Sequence, residues 1–266
     1  MTTLCIGPEP EQAYNRLYAE GSVMAMEPAM AKAVELPPLF SLLPKELSGH
    51  LESGAPWALV TTTLNEILAE LPHEDIRTRL GPDIHLMGNR ISIGKGARIH
   101  PGVVIEGPIR IGNDVQIRPG AYLRGGVWIG DGCIIGASTE VKHSILLDGA
   151  AAPHLNYVGD SILGERVNLG AGTILSNFRH DGREIHIPAF PPDPNGMPGD
   201  PIGTESRKLG AILGDEVKTG CNCVLHPGTI VGRRSQLYPG LQLRAGVYPA
   251  ERILKLRQEI ETVERR

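Results

Sequence analysis

The chain has 266 residues, 41% of them hydrophobic but only 4% aromatic, with 33 glycines and 22 prolines, so a core is possible if it is built from small side chains between many turns. A net charge of −4 is too small, beside that apolar share, for a disordered chain, and no basic excess points to nucleic acid. No apolar run is long enough to span a membrane, MTTLCIGPEPEQAY lacks the build of a signal peptide, and four scattered cysteines (Cys5, Cys133, Cys221, Cys223) make no disulfide scaffold. The expectation is a cytoplasmic protein without membrane or nucleic-acid partners.

Residues 1–85 predict a small helical or mixed cap. EPEQAYNRLYAEG and WALVTTTLNEILAEL carry helical spacing, the second through Leu59, Leu64, Ile67, Leu68 and Leu71. PPLFSLLPKEL between them is broken by prolines and reads as short helical pieces. A cap of this kind is expected to shield the first coil of a stacked repeat.

From residue 93 a strict repeat begins. Ile93, Ile99, Ile105, Ile111, Ile117, Leu123, Ile129, Ile135, Val141 and Leu147 fall six apart. Four residues after each stands a second interior candidate: Ala97, Val103, Ile109, Val115, Ala121, Val127, Cys133, Thr139, Ile145 and Ala151. Neither a helix nor a plain strand has this period. A short strand, a corner and another strand do, with both marked residues pointing inward and each turn stacked on the next. Residues 86–248 are therefore expected to be mainly β, a parallel β-helix of hexapeptide repeats.

The rhythm breaks twice. Leu147 to Leu163 is two residues short of three hexapeptides, and the stretch APHLNYVGD at 152–160 crowds His154, Asn156 and Tyr157 into the gap. A local departure from a consistent pattern marks a candidate site. The rhythm returns at Leu163, Leu169 and Leu175, then resumes at Leu213 after an ejected loop over 176–212. That loop is Pro-rich, and its EIHI suggests a short hairpin. Residues 249–266 space Ile253, Leu256, Ile260 and Val263 as one face of a C-terminal helix.

The repeat closely resembles the left-handed parallel β-helix of hexapeptide acyltransferases, in which three hexapeptides make one triangular coil. APHLNYVGDSILGERVNLGAGTILSN is more specific. It resembles the acetyltransferase domain of the bifunctional glucosamine-1-phosphate N-acetyltransferase / N-acetylglucosamine-1-phosphate uridylyltransferase family. The resemblance covers about residues 85–245. It implies an acetyl-CoA-dependent N-acetyltransferase acting on an amino-sugar 1-phosphate in UDP-N-acetylglucosamine biosynthesis, assembled as a homotrimer with no metal. It also implies the roles: His154 as general base, with Tyr157, Lys142, Arg124, Asn168 and Asn177 binding the sugar phosphate. Cys221 corresponds to a serine near acetyl-CoA, and Phe178 replaces a tyrosine. The glycine-rich nucleotide loop of the uridylyltransferase has no counterpart in residues 1–85.

Elementary arguments bear on these residues. Arg124 and Lys142, each one position after an interior aliphatic, should stack about 5 Å apart on one face of an 18-residue coil, where an anion such as a sugar phosphate would relieve their repulsion. Histidine titrates near neutrality and can take a proton from an attacking amine. A backbone N–H near GAGT could stabilise the oxyanion. Tyr157 could equally be a packing aromatic, and Asn168 and Asn177 could cap turns. His100 and His226, in IHPG and LHPG corners, read as structural; His180 and His186 in the ejected loop could edge the site. Cys133 and Cys223 read as core. A regulatory, non-catalytic trimer that binds sugar nucleotides is the alternative. A zinc enzyme of the γ-carbonic-anhydrase kind is disfavoured because no H-x-x-x-x-H occurs.

Overall fold

The computed structural model describes residues 39–48, 55–188, 200–257 and 261–264. The chain winds into a parallel β-solenoid of about nine turns with three walls. The first wall has nine parallel strands, from Glu74–Ile76 to Gly246–Tyr248, and the second has eight, from His85–Met87 to Gln242–Leu243. The third runs from Arg98–Ile99 through Ile134–Ala137 and Ala151–His154. Asn168, bridged to Ala151 on one side and Lys218 on the other, joins it to Lys218–Thr219, Gln236–Leu237 and Ile253–Leu254.

The expected aliphatic and small residues fill the interior, from Ile93 and Ala97 through Val141, and again from Leu163 to Leu243. Ordinary coils pair residues eighteen apart, as Ile91 with Ile109 and Ile109 with Val127. The phase break differs from its expected position. Inward residues run Val141, Leu146, Ala152, Val158, Leu163. The two six-residue steps between Leu146 and Val158 carry His154 with no irregularity. The two missing residues are lost one at a time, at 142–145 and 159–162, and both losses fall at the corner between the second and first walls. Two successive coils are thus seventeen residues long, pairing Trp128 with Ile145 and Ile145 with Ile162. This displaces three expected interior residues. Leu147 and Ile145 turn outward into a second apolar cluster, and Ala151 lies on the third wall beside Asn168.

The cap differs too. Strands Glu74–Ile76 and His85–Met87 already belong to the first coil, so the solenoid starts before residue 86. The helical residues Lys45–Ser48, the π-helical turn Leu59–Thr63 and the helix Leu64–Ala69 lie along the outside of the first wall. The cause is legible in the outward row of that wall: Trp128, Ile145, Ile162, Ile212 and Ile230 would otherwise meet water. Leu47, Trp57, Leu59, Leu64 and Leu68 cover them. The expected helix at EPEQAYNRLYAEG falls outside the described residues.

The ejected loop forms the hairpin EIHI foretold, pairing His186–Ile187 antiparallel to Ile202–Gly203. Ile185, Ile187 and Leu209 tuck into the same outer cluster. The expected C-terminal helix is replaced, over its described part, by extended chain. Ile253–Leu254 pairs with Gln236–Leu237 and extends the third wall beyond residue 248. The backbone groups of that edge find partners this way, and Leu254 packs on the core while Ile253 and Leu256 stay exposed, so no helical face exists for them to share.

Candidate active site

Register places the candidates. On the second wall Val141 pairs with Leu123, which sets Lys142 directly beside Arg124, and the Arg124 N–H donates to the Val141 carbonyl at 2.8 Å. Tyr157 pairs with Glu140 on one side and Ile174 on the other. Asn177 lies one coil later. These four candidates share one wall and are linked. The Tyr157 hydroxyl donates to Asn177 Oδ1 at 3.4 Å, and Asn177 Nδ2 donates to Asp160 Oδ2.

The two stacked cations are not uncompensated. Arg124 reaches Glu140 Oε1 at 2.9 Å and Lys142 Nζ reaches Asp160 Oδ2 at 3.1 Å. The repulsion expected between them is relieved within the chain, and the two pairs differ in kind. Arg124 and Glu140 are both partly exposed, so their pair opens at less cost than that of Lys142 and Asp160. The Asp160 side chain is only 6% exposed. Burial alone would raise its carboxyl, but the His143 ring, the Asn177 amide and Lys142 together hold it below the ordinary carboxylate value. The Tyr157 phenol is pushed up by burial and by the charges of Glu140 and Asp160.

Asp160 owes its place to the shortened corners. His143 and Asp160 both have φ +45°, and the Asp160 N–H donates to the Lys142 carbonyl at 2.9 Å. A serine comes after each. Ser144 Oγ donates to the Lys142 carbonyl and accepts from the Ser161 N–H; Ser161 Oγ donates to the Gly159 carbonyl and accepts from the Ala211 N–H. The hydroxyls thus fill ladder positions that the lost residues vacate.

His154 ends the strand Ala151–His154 and is exposed at the corner between third and second walls. Its neighbours along that corner are small. It pairs with Ala137 below, and its carbonyl accepts from Gly172 N–H above, beside Ala171. Other coils put proline there, at Pro101, Pro119 and Pro239. Asn156 is buried and fixes the turn, accepting from the His154 N–H and donating to the Gly170 carbonyl at 2.8 Å. Cys221 stands exposed in the same corner row beyond Ala171, while Cys133 and Cys223 are buried in the core. Asn168 lies on the third wall between Ala151 and Lys218. The seven candidates therefore form two groups on adjoining walls: His154, Cys221 and Asn168 on the third wall and at its corner with the second, and Arg124, Lys142, Tyr157 and Asn177 on the second wall, Lys142 at its far end.

Four residues joined to this region were missed as site members. Glu140 and Asp160 hold the cations, and His143 touches Asp160. His226, read as a corner residue like His100, comes after Leu225 as Arg124 does after Leu123 and so faces out from the second wall. Its ring is held below the usual histidine value by burial, Arg244 and His180. His186 sits on the loop hairpin. The stacking rule that paired Arg124 with Lys142 would have found Glu140 and His226. Among the described residues no cluster of histidine, cysteine or carboxylates could hold a metal, and no helix is long and apolar enough to cross a membrane.

The family described as the GMPPB C-terminal domain matches residues 105–235. The chain is 43% identical over 106 residues to a bifunctional sugar-1-phosphate nucleotidylyltransferase/acetyltransferase of Sulfurisphaera tokodaii, across 40% of this chain and 24% of that one. It is 37% identical over 225 residues to the bifunctional protein GlmU of Methanococcus maripaludis, across 83% of this chain and 50% of that one. The chain thus spans about half the length of that curated relative. Among solved structures, a Francisella novicida UDP-N-acetylglucosamine acyltransferase matches with a TM-score of 0.41 at 14% identity, over 62% of this chain and 60% of that one.

Proposed function

We propose that this chain, which resembles the acetyltransferase region of bifunctional sugar-1-phosphate enzymes, is an acetyl-CoA-dependent N-acetyltransferase acting on an amino-sugar 1-phosphate. The observation that carries the reading is the second-wall cluster. Two cations and two carboxylates meet there as ion pairs, which suits an acceptor that itself carries an ammonium and a phosphate. Phosphate would open the partly exposed Arg124–Glu140 pair and take Arg124, while Lys142 stays anchored by Asp160. Tyr157 and Asn177 would hold the sugar hydroxyls, with Asn168 approaching from the third wall.

The chemistry is direct acyl transfer. The acceptor ammonium first loses one proton to solvent; the free amine nitrogen then attacks the thioester carbonyl carbon, the C–N bond forms, and the C–S bond breaks. His154 takes the proton from nitrogen and returns it to the departing thiolate. Among the described residues the Ala171 N–H finds no acceptor, and it lies one coil above His154, a position that suits it to receive the developing oxyanion. Cys221, next in that corner row, would border the acetyl-CoA thioester. A homotrimer would bring a second copy against the open corner and close the site from water.

The test is thiol release from acetyl-CoA with glucosamine 1-phosphate. Release by the native protein and its loss in His154→Ala support the reading. Binding of the sugar phosphate without thiol release would favour the regulatory, non-catalytic trimer.

A further inference from the structure

We infer that His143 is a positioning residue for the proposed acyl transfer, fastening the helix Leu64–Ala69 to the acceptor cluster through Asp160. The inference rests on the acetyltransferase reading of this site. The imidazole is held from three sides. Its Nε2 lies 3.2 Å from Asn65 Oδ1 on the helix, seventy-eight residues earlier in the chain. Its Nδ1 is buried 3.1 Å from Asp160 Oδ1, close but off the line of a well-formed hydrogen bond, so the ring flanks that oxygen and limits where it can turn. The ring also lies against Gly126, where an added Cβ would meet His143 Cδ2 at 2.6 Å. Glycine at that place, with φ +79°, keeps the slot open.

Asp160 divides its two oxygens. Oδ1 faces His143, while Oδ2 takes both Lys142 Nζ and Asn177 Nδ2. A carboxylate turns about its Cβ–Cγ bond, and the imidazole is what faces the oxygen not used by the acceptor groups. Without it the plane of the carboxylate is free to rotate, and Lys142 and Asn177 lose a fixed anchor together. The backbone at His143 is left-handed, which disfavours a residue with a Cβ, and the ring of that residue stands against Asp160. The helical segment outside the first wall therefore does more than cover apolar side chains. It reaches the opposite side of the corner through one imidazole.

Two measurements test this. The first is steady-state kinetics of thiol release for the native protein, His143→Ala, His143→Asn and Asn65→Ala. The KM for the amino-sugar phosphate should rise about tenfold in His143→Ala, the scale of one interaction with a charged group, while kcat and the KM for acetyl-CoA stay nearly unchanged. His143→Asn, whose amide stands where Nδ1 stood, should recover most of the loss, and Asn65→Ala should show a smaller rise of the same kind. An unchanged sugar KM in His143→Ala, or a loss shared equally by both substrates, overturns the proposal. The second compares crystal structures of native protein and His143→Ala. The Asp160 carboxylate should turn and Lys142 Nζ leave it; an undisturbed cluster overturns the proposal whatever the activity. Absence of thiol release by the native protein would defeat the assigned reaction but leave this comparison decisive. Asn65 is exposed, so Asn65→Ala carries both measurements if His143→Ala does not fold.

Discussion

Lys142 and Asp160 form an ion pair of 3.1 Å across two adjacent coils, with the carboxylate almost out of solvent. Lys142 stacks on Gly159, and Asp160 follows that glycine into the shortened corner, where its side chain turns back to the lysine.

Asp160→Asn should therefore cost stability as well as activity. We expect a loss of about 2 kcal/mol in urea unfolding at pH 7, less than for a fully buried pair because Lys142 is partly exposed. The pH dependence has a definite sign. The folded carboxyl titrates below its unfolded value of about 3.9. Its stabilisation is complete above that pH and is lost as the pH falls toward the folded value. Below about pH 4 the native protein should lose stability more steeply than Asp160→Asn; parallel curves would count against the assignment.

His154→Gln should lower kcat by about a hundredfold or more, the usual worth of a positioned base, while the KM for the sugar phosphate barely moves. Stopped assays of thiol release measure both. A change confined to KM would make His154 a binding group instead.

Arg124→Ala should raise the KM for the sugar phosphate about tenfold, as for a lost charge-assisted contact. Thermal stability should hardly change, since its pair with Glu140 is partly exposed. An equal effect on an acceptor lacking the phosphate would show that Arg124 serves something else.

The outer cluster gives a prediction independent of function. Leu64 is fully buried against the first wall, and Leu64→Ala should cost about 2–4 kcal/mol in equilibrium unfolding. A value near zero would mean that the helix is not part of the cooperative unit.

Thiol chemistry separates the cysteines. Cys133 is pushed up to about 12, first by burial, and Cys223 is raised for the same reason. Alkylation and then peptide sequencing in a mass spectrometer should mark exposed Cys221 long before either. Coenzyme A should slow it; indifference to coenzyme A would remove Cys221 from the proposed site.

Much of the fold and part of the candidate site's arrangement were readable beforehand. The six-residue period placed the interior ladder, and with the three-hexapeptide coil that the family resemblance implies it placed the walls and the adjacency of Arg124 and Lys142. It misplaced the break because counting from Leu147 to Leu163 sees only the total shortfall. The clue lay in HSIL at 143–146 and DSIL at 160–163, seventeen apart, where the serine replaces an inward small residue and the isoleucine points out. The C-terminal residues carried helical spacing, but an unfinished third wall offered strand partners that spacing alone does not reveal. The neutralising carboxylates were hidden for a simpler reason. Charge signs can be read from a sequence; which charges meet depends on register and corner geometry.

The paired shortened corners also constrain how such a chain can change over generations. Each lies in its own five-residue step, from Val141 to Leu146 and from Val158 to Leu163, so a residue gained in either would restore six there and leave the later ladder in phase. It would, however, lengthen the turn that holds His143 or Asp160 in its left-handed backbone. Descendants of this molecule can therefore regain either residue without unwinding the solenoid, yet not without reshaping the cluster at that turn, so coil length, more than the identity of any one side chain, is the trait that carries the pocket.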